Sequence, residues 1–197
     1  MLEQRIQQHF IDSADLKYQS AQALSLPISA AVQALLACVT SGGKVLACGD
    51  GASAPDAHRF AALCVAGFER ERPELAALAL SHTQGWLPPA AEGADAEALA
   101  RQVRALGQAG DVLVVLSVQG LDGHVLAAVA AAHERDMTVV ALSGRSGGLL
   151  AAQLRETDVL VCVPHDRPAR VREVHTLVLH CLCDGVDAQL FGEQENP

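Results

Sequence analysis

The stretch Lys44 to Ser53, KVLACGDGAS, offers the first chemistry in the chain. Val45 to Cys48 is an apolar run of strand length, and Gly49-Asp50-Gly51-Ala52-Ser53 follows at once. Glycines, a carboxylate and a hydroxyl directly after such a run predict a buried strand, a tight turn and a helix N-terminus. The free N–H groups of a turn like this bind anions, sugar phosphates among them, with Ser53 as an added donor. The same glycines also serve any first strand–helix turn of a parallel sheet, on steric grounds alone. A second glycine-bearing turn, Ser117-Val118-Gln119-Gly120-Leu121-Asp122, ends the run Val112–Ser117. Asp122 is placed there to cap the next helix.

These turns need a scaffold. Leu2, Ile6, Phe10, Ile11 and Leu24 recur at helical spacing, which predicts an amphipathic helix over Met1–Leu24. Pro27 suits the first turn of a second helix, striped by Ile28, Val32, Leu35, Leu36 and Val39 and ended by Ser41-Gly42-Gly43. Pro55 opens a helix that runs to about Phe68, and Ala76–Leu80 reads as the second strand. The pattern lapses from Ser81 to Gly93, after which Asp95 caps a helix ending at Leu106. Val112–Ser117, Met137–Leu142 and Asp158–Val163 are three more strands, a short helix follows Gly147-Gly148, and a last helix spans Pro168 to about Leu190. Apolar strands alternating with helices and lacking two-residue hairpins mean right-handed crossovers and a parallel sheet covered on both faces. The expected fold is a three-layer α/β sandwich on a five-stranded parallel sheet of flavodoxin-like order. It forms one domain over 1–197: helices at 1–41, the βαβ core at 44–163 and the last helix at 168–191. Both turns then lie at carboxyl ends of strands, where such sheets bind ligands.

Composition narrows the partners. The formal net charge is −9, which disfavours direct binding to nucleic acid or an anionic membrane and suits a basic protein partner. No basic-then-apolar leader opens the chain, and no uninterrupted apolar run is long enough to span a bilayer, so a cytoplasmic location is expected. The six cysteines lie within apolar runs and form no CxxC pair, which predicts buried reduced thiols.

The chain resembles the sugar isomerase (SIS) domain family over nearly its whole length. The resemblance is carried by CGDGAS, RQVRALGQAGDVLVVLS, RDMTVVALSGRSGG and RPARVREVHTLVLHCLCDGVDAQLF. It points to the branch that holds bacterial phosphoheptose isomerase and the replication-initiator-associating protein DiaA, and the last of these stretches looks closer to DiaA. The resemblance implies a homotetramer with helices at both chain ends building the assembly. It also implies a divalent metal, usually zinc, held by a His and a Glu after the first turn and a Gln and a His on the last helix. In this sequence those positions carry Arg59, Leu63, Arg172 and His180. A guanidinium cannot ligate zinc, so the metal is expected to be lost and no cofactor is expected. His58 is one residue out of register, about 100° round the helix from the ligand position.

The same lost Glu and retained His would move protons between aldose and ketose through an enediol. His180 and Glu173 are left as vestigial candidates, Glu173 equally able to pair with Arg170 or Arg172. The family's second loop is typically Ser-Thr-Ser-Gly-Asn-Ser; only Ser117 and Gly120 of it survive. Asp50 and Asp122 place carboxylates where a phosphate would sit, and two unit charges about 4 Å apart repel by roughly 4 kcal/mol at an effective dielectric near 20. Gly49, Asp50, Gly51, Ser53, Ser117, Gly120, Asp122, Arg59 and Arg172 are the candidate ligand residues. Arg59 and Arg172 either replace the metal's charge, neutralising Asp50 or Glu173 or receiving an anion, or stand exposed on a vacated rim.

Two functions follow as expectations. The first is a non-catalytic SIS tetramer that binds the replication initiator DnaA, as DiaA does, with Leu190-Phe191 as its apolar contact. The alternative is a phosphoheptose isomerase converting sedoheptulose 7-phosphate to D-glycero-D-manno-heptose 7-phosphate, or a sensor of sugar phosphates.

Overall fold

The computed structural model describes residues 1–81 and 97–192. Most of the irregular stretch expected at Ser81–Gly93, and the Asp95 cap, lie outside them. Five parallel strands are present: β1 (Val45–Gly49), β2 (Ala77–Ala79), β3 (Val112–Ser117), β4 (Thr138–Gly144) and β5 (Val159–Val163). They pair in the order β2-β1-β3-β4-β5, the expected flavodoxin-like arrangement. The helices are α1 (Leu2–Thr40), α2 (Ala54–Ala66), α3 (Ala98–Leu106), α4 (Gly123–Glu134), α5 (Gly148–Gln153) and α6 (Pro168–Phe191).

The strands read as unbroken apolar runs because both faces are buried. Val45, Ala47, Val112, Val114, Leu116, Val140 and Leu142 face one way, onto the layer built by α1, α2 and α6. Leu46, Cys48, Leu113, Val115, Val139 and Ala141 face the other, onto α3, α4 and α5. The period-2 pleat thus splits each run between two cores.

The two expected N-terminal helices are one. α1 runs 39 residues with Pro27 inside it. A mid-helix proline forfeits a backbone hydrogen bond and costs about 3 kcal/mol. Here the freed carbonyl belongs to Ala23, an exposed residue that water can reach. Leu16, Leu24, Ala31, Val32, Leu35 and Cys38 are buried on both sides of the proline, and holding them on one continuous face outweighs the local loss. α1 also carries an 18-residue window of mean hydropathy 1.8, long and apolar enough by composition to cross a bilayer. In this fold α1 instead packs along α6 and β5.

The cysteines are only partly as expected. Cys38, Cys48, Cys64 and Cys183 are buried and free, but Cys162 is half-buried and Cys181 exposed. Cys181 and Cys183, two apart on α6, point to different faces, so one of them meets solvent.

Candidate active site

β1 ends at Gly49, and a 3-10 turn over Gly51–Ser53 leads into α2. A Cβ on Gly49 would lie 2.8 Å from the Ser53 carbonyl group, so only glycine lets the turn fold back this closely. The turn spends its own amides: Ser53 N–H and Ala54 N–H both donate to the Asp50 carbonyl, at 2.6 and 3.2 Å. The Ser53 hydroxyl is buried and has no partner among the described residues.

The second turn lies beside it. Gly120 adopts φ +65°, and its N–H donates to Ser117 Oγ at 3.1 Å. Ser117 Oγ in turn donates to Asp50 Oδ2 at 2.7 Å. This relay fixes the Asp50 carboxylate. Asp122 is the N-cap of α4: its Oδ1 accepts from His124 N–H at 3.0 Å and Val125 N–H at 3.1 Å. That carboxylate is therefore spent on the helix end, where the macrodipole also favours its charge.

Between the turns and the start of α6 lies an open cavity of about 500 Å³. Asp50, Ser53, Ser117, Asp122 and Arg172 all line it, as do Pro168 and Ala169 at the α6 N-terminus. Among the described residues no side chain caps that terminus; Pro168 has no N–H, and the Arg170 and Val171 amides donate to the Arg167 carbonyl, which leaves Ala169 as the leading amide beside the cavity.

Arg59 and Arg172 do meet, but not at Asp50 or Glu173. Both turn to Asp56, in the first turn of α2. Arg59 Nη2 is 2.6 Å from Asp56 Oδ1, and Arg172 Nε is 3.6 Å from Oδ2. The Asp56 side chain is only 4% exposed. Two cations satisfy this one buried carboxylate, and so neither reaches for Asp50. Sequence reasoning missed Asp56, although its spacing of three from Arg59 on a helix was a legible signal.

Other expected residues lie elsewhere. Glu173 accepts from Ser13 Oγ at 2.7 Å and pairs with Arg170, not with Arg172. The His180 ring stacks on Phe68 with centroids 5.1 Å apart. Leu190 packs against the core, and Phe191 lies under the Arg70 guanidinium, 5.6 Å from the ring centroid.

His175, also missed, is wholly buried one turn beyond Arg172. Its Nε2 lies 3.1 Å from the Ser143 carbonyl, which can only accept, so Nε2 carries the proton and Nδ1 is bare and, among the described residues, unpartnered. Burial pushes the His175 pKa below its ordinary 6.5, against the raising effect of the Ser143 carbonyl and of Asp56 and Asp50. The unfolded chain then binds a proton that the folded one refuses. Stability is unaffected above pH 6.5 and falls as pH drops below it. The urea midpoint should decrease between about pH 7 and pH 5.5, and His175→Asn should shed its share of that decrease.

The SIS domain family matches residues 9–144 of the chain. The chain belongs to the SIS family. Among its curated relatives, the phosphoheptose isomerase of Methylibium petroleiphilum is 59% identical over 196 residues, covering 99% of this chain and 98% of that protein. The phosphoheptose isomerase of Dechloromonas aromatica is 46% identical, covering 95% and 96%. Of solved structures, the phosphoheptose isomerase of Neisseria gonorrhoeae superposes with a TM-score of 0.88 at 44% identity, covering 95% of this chain and all of that one. The enzyme from Francisella tularensis gives 0.84 at 35% identity, covering 95% and 98%.

These relatives overturn the expectation of a non-catalytic, DiaA-like scaffold that binds DnaA: they carry the name of an isomerase at high identity and full length. On the last helix Leu190 is partly buried against the core, while Phe191 stays 37% exposed beside Arg70.

The residues at the positions where the resemblance implies a metal do not fit one. Arg59 and Arg172 present only donors, Leu63 presents none, and the His180 ring is engaged with Phe68. Among the described residues no group of three or more His, Cys, Asp and Glu side chains converges as a metal site.

Proposed function

We propose that the protein is an aldose–ketose isomerase acting on a heptose phosphate, interconverting sedoheptulose 7-phosphate and D-glycero-D-manno-heptose 7-phosphate. The 59% identity over 99% of the chain with a phosphoheptose isomerase carries this reading. The cavity supports it, since 500 Å³ is within the range of small-ligand sites. Its donors for an anion are the Ser53 hydroxyl, unpartnered among the described residues, and the Ala169 amide at the start of α6.

Isomerisation through an enediol needs a base beside the migrating proton. Two carboxylates line the cavity, and they differ. Asp122 Oδ1 is held by two backbone N–H groups, whereas Asp50 accepts one hydrogen bond among the described residues, from the Ser117 hydroxyl. Asp50 is the proton carrier. It takes a proton from C1 of the ketose and returns it to C2, while the O1 hydroxyl proton passes to O2. The product is the aldose, with no co-reactant consumed.

Two coarser features belong to the same reading. Leu2, Ile6, Phe10 and Ile11 are exposed on α1, an apolar face that suits the homotetramer implied by the resemblance. Free cysteines suit the cytoplasm.

A coupled assay on sedoheptulose 7-phosphate tests the reading. The wild-type protein should turn over, and Asp50→Asn should lower kcat by about 10²–10⁴-fold with little change in KM. Absence of turnover in the wild type, with and without added zinc, would overturn it.

A further inference from the structure

We infer that a guanidinium replaces the divalent metal in this chain: Arg172 is the electrophile that draws charge from the sugar's carbonyl, and Asp56 with Arg59 positions it. The electrophile role rests on the isomerase reading above. The exchange of metal for guanidinium stands on the side chains alone.

Asp56 is buried between Arg59 of its own helix and Arg172 of α6. One carboxylate between two cations leaves one positive charge, and no ordinary pH removes it, because guanidinium stays protonated. A divalent cation placed beside it would be repelled by both arginines and would find no donor in Leu63. Metal and arginine pair are alternatives for the same place.

The donors of Arg172 are also unspent. Its Nε is buried without a hydrogen bond, and at 3.6 Å its approach to Asp56 is an ion pair only. The side chain makes no hydrogen bond among the described residues, yet it lines the cavity that Asp50 lines. A planar fork of N–H groups can span O1 and O2 of a cis-enediolate as it spans a carboxylate. It meets negative charge that exists only after Asp50 has taken the C1 proton, which is where a preorganised donor contributes most to rate. The proton balance is unchanged: C1 to Asp50 to C2, and O1 to O2, with Arg172 remaining charged throughout.

The test combines metal analysis with kinetics. Wild-type protein treated with a chelator should contain no stoichiometric zinc, take up none in a calorimetric titration with zinc chloride, and keep its full rate. Arg172→Gln should lose about 10²–10³-fold in kcat with KM little changed, and added guanidinium ion should restore part of that rate. Asp56→Asn should lower kcat while the thermal midpoint reports that the fold is intact, and it should gain nothing from added guanidinium. The triple variant Arg59→His, Leu63→Glu, Arg172→Gln, which returns N and O donors to the positions where the resemblance implies a metal, should bind one zinc ion per chain.

Stoichiometric zinc in the wild type, or a rate abolished by chelation, overturns the inference. So does an Arg172→Gln variant that keeps its rate. A folded triple variant that takes no zinc shows that these positions do not exclude the metal, and also overturns it. A wild type with neither turnover nor zinc overturns the isomerase reading and with it the electrophile role, and leaves the exchange of metal for guanidinium standing.

Discussion

Asp187→Ala should lower the stability of the fold by about 3–5 kcal/mol, the cost of leaving one member of a buried ion pair alone. Asp187 on α6 accepts from Arg72 Nε at 2.8 Å, and the two side chains are 3% and 2% exposed. Arg72 also donates to the carbonyls of Cys64, Leu63 and Pro73, at 2.7, 3.1 and 3.0 Å. One guanidinium thus closes the C-terminal end of α2 and ties it to α6. Removing the carboxylate leaves a buried cation without its counter-charge. At about 2–4 °C per kcal/mol for a chain of this size, the thermal midpoint should fall by roughly 6–20 °C. The exposed pair Arg145–Asp166, at 2.9 Å, is the control: Asp166→Ala should change stability by less than about 1 kcal/mol. Urea unfolding of both variants decides the matter. Equal, small effects would mean that burial of the Arg72–Asp187 pair is not what gives it weight.

Gly120→Ala should damage both the fold and the cavity. Gly120 has φ +65°, and a Cβ placed on it would stand 1.9 Å from the Gly147 carbonyl oxygen. Backbone, not a flexible side chain, is in the way, so one of the two turns must move. A left-handed residue with a Cβ costs about 1–2 kcal/mol and overpacking adds about 1–3. A loss of about 3 kcal/mol is expected from urea unfolding. The shift also pulls the Gly120 N–H from Ser117 Oγ, and Ser117 orients Asp50. Turnover in the remaining folded protein should therefore fall as well. A variant of wild-type stability and rate would show that the second turn tolerates displacement.

Much of this molecule is readable without coordinates because its rules are local. The alternation of apolar runs with helices identifies a parallel sheet, and the glycine turns after β1 and β3 mark the carboxyl ends where the cavity lies. The donor chemistry of three side chains is equally local: Arg59, Leu63 and Arg172 cannot become metal ligands by folding. One expectation went astray where a long-range gain outweighed a local rule. Pro27 looked like a boundary, but the apolar face of α1 continues through it and its burial exceeds one missing hydrogen bond.

The order of elements and the two turns follow from the sequence by itself, since each depends on residue type and on spacing within one element. Where the two arginines go was decided only by the tertiary structure. Asp56 and Arg172 are more than a hundred positions apart, and nothing in their spacing joins them. Packing of α6 along α2 brings the charges together, and a buried carboxylate must take the cations nearest to it.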